Sequence, residues 1–281
     1  MPIESCLRIG CAAGFTLLAA VLFPTPLGGQ PPGDVVASIK HSSPDSRRGG
    51  IEFLPGGRFR SANMPLVMVL GIAYGIPTQS IESIRLRIRG IPDWMLTEPY
   101  DIEAKAAGPA PAGATAKQRN QRIRLMLQSV LADRLQLALR RETQVMPVYA
   151  LMIGKHGPAL AKATITEQEC AESAPFGSPS PAGPGCHQFA GGIGRGLRGS
   201  AVDMSDLALY VSNWSDLPVV DRTGLAGLYA IQTPGWASIY MNDPARPSLD
   251  EVFDRLGLKL VRTTAPVEVL VVEHAQRPSA N

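Results

Sequence analysis

Four cysteines in 281 residues are too few for a disulfide-dense scaffold or a cysteine-rich metal protein. Aromatic residues make up 6% of the chain and its net charge is only +3. Without a recognition motif, that combination excludes nucleic-acid binding as a reading. No G-x-S-x-G elbow, H-E-x-x-H or S-x-x-K occurs, and the histidines His41, His156, His187 and His274 are dispersed. Local hydrolase signatures are therefore missing, although a triad assembled in space leaves no local trace. What the chain does have is 45% hydrophobic residues, 25 Pro and 28 Gly, a globular composition with many turns.

The N-terminus reads as an export signal. Arg8 supplies a positive start, and Ile9 to Phe23 form an apolar run of 15 residues broken by Gly10, Gly14 and Thr16. A spanning helix needs about 20 apolar residues, so residues 1–30 are expected to be a signal peptide, cut near Gly28–Gln30. An uncleaved segment would be the only membrane contact. Export places Cys170 and Cys186 in an oxidising compartment, where two thiols favour one disulfide; two free buried thiols are the alternative. A metal set of Cys170, Cys186 and His187 has only three ligands and is set aside.

Two stretches of the chain resemble each other. Leu66, Val69, Leu70 and Ala73 repeat at i, i+3, i+4 and i+7, as do Met204, Leu207, Ala208 and Val211, each an apolar helical face. Asn63 and Asp203 are the expected N-caps. Thr115-x-x-Gln118 and Ser248-x-x-Glu251 are paired capping boxes. Asp133-Arg134-Leu135-Gln136-Leu137 then lines up with Asp254-Arg255-Leu256-Gly257-Leu258, where period 3.6 gives way to period 2. Apolar runs from Pro147 and Pro266 close each unit. The fold class expected is α+β: a tandem repeat of two small βαββαββ units with mixed or antiparallel sheets and helices on one face. The units are 35–155 and 188–275, with a Pro/Gly/Ser-rich linker at 156–187 and a tail at 276–281.

The segments GGRFRSANMPLVMVLGIAYGI, IPDWMLTEPYDIEAKA, PVVDRTGLAGLY and LGLKLVRTTAPVEVLVVEHAQRPSAN resemble a family of soil-associated bacterial secreted proteins of unknown function. That resemblance implies export and supplies no catalytic residue. Each unit also looks like the short N-terminal module of secretins and TonB-dependent transducers, which implies protein–protein contact in the periplasm.

Gly194-Arg195-Gly196-Leu197-Arg198-Gly199 matches a dinucleotide fingerprint, yet no buried strand precedes it, so a glycine-rich hairpin is expected and no cofactor is assigned. Asp221 before Thr223-Gly224 reads as a turn former. Charge divides unevenly: residues 35–155 carry 17 basic and 9 acidic side chains, residues 156–281 carry 9 and 13. Arg85, Arg87 and Arg89 alternate, and on a strand they would share one face. Arg119, Arg122 and Arg124 crowd a helix start, against the macrodipole.

The expectation is an exported binding or assembly module at the cell envelope, secreted or periplasmic. It would meet an envelope protein or an acidic surface through Arg85, Arg87, Arg89, Arg119 and Arg122. The rival reading is an extracytoplasmic hydrolase with a site between the units. A structural surface module stabilised by Cys170–Cys186 is a third.

Overall fold

The computed structural model describes residues 35–45, 49–54, 56–78, 81–170, 185–237 and 243–278. The signal assigned to 1–30 and most of the Pro/Gly/Ser-rich stretch between the cysteines lie outside the described residues. The first half runs β1 (Val36–His41), β2 (Gly50–Leu54), β3 (Arg58–Pro65), α1 (Leu66–Tyr74), α2 (Ile81–Arg87), β4 (Ile88–Arg89), α3 (Asp93–Thr97), β5 (Pro99–Lys105), α4 (Ala116–Leu135) and β6 (Ala138–Ile153). The second runs β7 (Ala161–Lys162), α5 (Glu167–Cys170), β8 (Ala190–Gly192), β9 (Gly196–Val202), α6 (Met204–Ser212), β10 (Val219–Asp221), β11 (Tyr229–Gln232), α7 (Leu249–Arg255) and β12 (Leu258–His274). The α+β class holds.

Local chemistry accounts for most helix boundaries. Thr115 and Gln118 form the reciprocal box that starts α4, and Ser248 and Glu251 the one that starts α7. Asp203 caps α6 and completes a third box with Asp206. The cap expected at Asn63 is a correction: α1 starts after Pro65, whose fixed φ suits a helix entry. Asn63 instead sits at a register shift in β3 with φ +49°, its N–H donating to Asp101 Oδ1 at 2.8 Å. The glycine-rich hairpin is present as β8 and β9.

Three four-stranded sheets follow. Their orders are β1-β5-β3-β2, β7-β11-β9-β8 and β10-β6-β12-β4. The first two are antiparallel. In the third, β6 and β12 pair antiparallel from Leu258↔Ile153 to His274↔Ala138, while β10 and β4 add parallel at opposite ends. The apolar runs read from the sequence as two short strands per half are thus single long strands.

That long ribbon also joins the two cores. Phe59, Leu70, Ile84, Met126 and Leu131 form the first core, and Leu270 and Val272 of β12 complete it. Leu207, Ile231, Trp236, Phe253 and Leu258 form the second, completed by Leu151 of β6. Each core therefore contains side chains from the other half's long strand, and residues Pro31–Asn281 make one compact unit. Gly257, at φ +66°, turns the chain from α7 into β12; a Cβ there would stand 1.9 Å from the Gly157 carbonyl oxygen, so only glycine fits.

Candidate functional site

The start of α6 carries a dense charged cluster. Asp203 Oδ1 accepts from the Asp206 N–H and Asp206 Oδ2 from the Asp203 N–H, both at 2.9 Å. Asp206 Oδ2 lies 2.6 Å from His187 Nδ1, and Glu167 Oε2 lies 2.9 Å from His187 Nε2. The imidazole, its side chain 3% exposed, thus bridges α5 and α6. From the first half, Lys117 Nζ donates to Asp203 Oδ2 and reaches Ser205 Oγ at 3.3 Å.

Lys117, Glu167, His187 and Asp203 line a cleft of about 640 Å³ whose walls come from both halves. Thr115 and Lys117 come from the first half, and Ile165, Glu167, Gly227 and Leu228 from the second. Lys162 Nζ hangs 4.0 Å over the Tyr229 ring and donates to the Ala226 carbonyl at 2.9 Å. The Cys170–Cys186 disulfide, with Cα atoms 5.7 Å apart, ties the end of α5 to the residue before His187. Expectation and structure agree on that bridge.

Electrostatics follow from the pairing. Burial opposes charge on His187, but hydrogen bonds and charge from Asp206 and then Glu167 outweigh it and raise its pKa. Burial likewise pushes the Asp203 carboxyl up, yet hydrogen bonds from Lys117, Ser205 and the Asp206 N–H bring it down to about 2. Burial lowers Lys117, but Asp203, with Asp206 and Glu167 behind it, leaves the net shift upward. Pairing therefore favours the charged forms of His187, Lys117 and Asp203 over the neutral ones.

A stability profile follows from those signs. A group with a raised folded pKa contributes fully below its unfolded pKa, about 6.5 for His, and loses its contribution as pH rises through the folded value. A group with a depressed folded pKa contributes above its unfolded value, near 3.8 for Asp203, and loses that as pH falls towards 2. Both contributions are complete between about pH 4 and pH 6. In urea unfolding at pH 5, wild type should exceed His187→Gln by about 2 kcal/mol, the scale of a hydrogen bond to a charged group. The gap should narrow towards pH 9; a gap constant over that range contradicts the assignment.

Could the cluster hold a metal? Ligand atoms of His187, Asp203 and Asp206 lie within 4.8 Å of one another, a donor set of one imidazole and two carboxylates. But Lys117 takes the outer Asp203 oxygen and both His187 nitrogens face carboxylates. A cation would have to displace Lys117 to enter. The sulfurs of Cys170 and Cys186 are joined to each other.

The arginines named from sequence fall elsewhere. Arg85 and Arg87 lie on α2 and Arg89 on β4, which corrects the expected strand. Ile84 and Ile88, four apart, are the residues the segment buries, so its inward period is helical. Arg87 Nε donates to the Glu268 carbonyl at 2.7 Å. Arg119 and Arg122 lie on the first turns of α4, donating to carbonyls of Ala114, Cys170, Ala107 and Gly108. The sequence reading missed Lys117, Lys162, Glu167 and Asp206. Only Asp203-x-x-Asp206 had a local signature, an aspartate version of the capping box.

Among family models, the one described as "Protein of unknown function (DUF3738)" matches residues 67–275. No curated protein and no solved structure matches the chain.

Proposed function

The chain belongs to the DUF3738 family of proteins of unknown function, and we propose that it works outside the cytoplasm as a binding and assembly module at the cell envelope. The observation that carries this reading is the 640 Å³ cleft between the halves, of ordinary size for a binding site. Its ionisable groups are paired with one another rather than poised for chemistry. His187 has a carboxylate at each nitrogen, so neither is free to take a proton from a hydroxyl. Lys117, held as an ammonium, cannot act as base for Ser205. This argues against the hydrolase reading at the same cleft.

The architecture we infer is a duplication. The orders β1-β5-β3-β2 and β7-β11-β9-β8 correspond strand for strand, and α4–β6 corresponds to α7–β12. This supports two copies of one unit whose long strands pair about a local two-fold axis. The unit's resemblance to the periplasmic module of secretins, and the family's soil association, fit a role in contacts between envelope proteins. The Cys170–Cys186 disulfide is compatible with export. Among the described residues no helix is long and apolar enough to cross a membrane.

A pull-down from envelope extract tests the reading. Lys162 is exposed and lines the cleft, so Lys162→Glu reverses one wall charge without opening the core. Wild type should retain a discrete partner whose recovery falls about tenfold in the variant, a change of about 1.4 kcal/mol. Identical partner sets, or hydrolysis of an ester or peptide panel abolished by His187→Gln, would overturn it.

A further inference from the structure

A second, smaller pocket of about 140 Å³ lies against the first turns of α4. Gly57, Gly108, Arg119, Asn120, Arg122 and Gln188 are among its lining residues, and no carboxylate is among the described ones. We propose that it is a binding site for a single tetrahedral oxyanion, phosphate or sulfate. The inference does not depend on the protein–protein reading above.

Four observations converge on it. First, Arg122 Nη2 donates to the Ala107 and Gly108 carbonyls, which fixes the guanidinium beside the pocket without neutralising it. Arg140, Arg141, Arg246 and Arg277 each have a carboxylate within 4.0 Å; among the described residues Arg122 has none. Second, Arg119, which donates to the Ala114 and Cys170 carbonyls, also lines the pocket. A guanidinium fork matches oxyanion geometry. Third, Asn120 and Gln188 line the pocket and their carboxamides have no hydrogen-bond partner among the described residues, which leaves two amide groups able to donate to a ligand. Fourth, α4 is 20 residues long with no acidic residue in its first turn, so the positive end of its dipole is not offset locally.

Size sets the class of ligand. Pockets for drug-sized molecules measure about 300–1,000 Å³, so 140 Å³ admits one oxyanion group and excludes a nucleotide. Gly57 and Gly108 have φ of +71° and +63°, and their lack of side chains keeps the mouth open.

The test is calorimetry and thermal shift on the purified chain, titrated with sodium phosphate or sodium sulfate at ionic strength held constant with sodium chloride. Wild type should give a saturable heat and a rise in Tm with at least one of the two anions. Asn120→Asp keeps the side-chain shape, loses no internal bond and puts a negative charge in the pocket. It should weaken binding about tenfold or more, an effect of about 1.4 kcal/mol or more. Arg122→Gln should do the same, and Arg141→Gln, outside the pocket, should not. No saturable heat in wild type, equal affinity in Asn120→Asp, or a chloride titration that reproduces the Tm rise would each overturn the proposal. If Arg122→Gln fails to fold, Asn120→Asp alone decides.

Discussion

Expressed by themselves, residues 35–155 will not fold as a monomer. The segment keeps its first sheet and α4, but β6 loses β12, the partner it holds from Ala138 to Ile153. The first core loses Leu270, 1% exposed, and Val272, 9% exposed. Deleting one buried leucine side chain costs about 2–5 kcal/mol, against a total stability of about 5–15 kcal/mol for a domain. Here two buried side chains and a whole strand leave together, and β4 loses the one strand partner it has among the described residues. Far-UV circular dichroism and urea titration of the fragment should show no cooperative transition at low micromolar concentration. Any folded species should be a dimer in which β6 of a second copy replaces β12. The ribbon geometry allows this, because Pro147 pairs opposite Thr264 and Pro266 opposite Val145, positions that the proposed two-fold relation would exchange. Sedimentation would separate the cases, and a folded monomeric fragment would refute the shared-core account.

What could be read from sequence was local. The boxes at Thr115/Gln118 and Ser248/Glu251 lie within one turn, and the apolar faces from Leu66 and from Met204 declare themselves by period alone. The switch from helix to strand after Asp133 and Asp254 was equally legible. The long strands were not, because Pro147 and Pro266 read as strand starts. Both sit where the ribbon is only two strands wide, outside the reach of β10 at Tyr149–Leu151 and of β4 at Leu270–Val271. A proline at an edge removes no second ladder bond, so the strand passes through it. Arg85 to Arg89 misled for another reason: a five-residue alternation also satisfies i, i+4 burial at Ile84 and Ile88, and short runs do not fix their period. The cleft cluster lay beyond sequence reading. Lys117 and Asp203 are 86 residues apart, His187 and Asp206 19 apart, and no periodicity links positions brought together by tertiary packing.

Replacing both Cys170 and Cys186 by Ala should lower stability by about 3 kcal/mol, the chain-entropy value for a loop of this length. The bond closes a separation of 16 residues and its two ends anchor the cleft wall. Among the described residues, the satellite cluster around the bridge has Ala116, Cys170, Cys186 and Ala201 as its buried members. Little apolar burial therefore remains once the bridge is gone. Other tethers include the His187–Glu167 contact at 2.9 Å and the Arg119 bond to the Cys170 carbonyl at 2.9 Å. Loss should accordingly be local first. Amide exchange should accelerate at 163–170 and 185–189 while the β6–β12 ribbon keeps its protection, since local openings follow sparse packing. Reduction of the wild type with dithiothreitol should reproduce the pattern. The His187→Gln change in the double-Ala background should then cost less than in wild type, because bridge and imidazole hold the same short helix and contacts that share a restraint are not additive. Equal costs in the two backgrounds would mean that the disulfide and the ion pair act on separate parts of the wall.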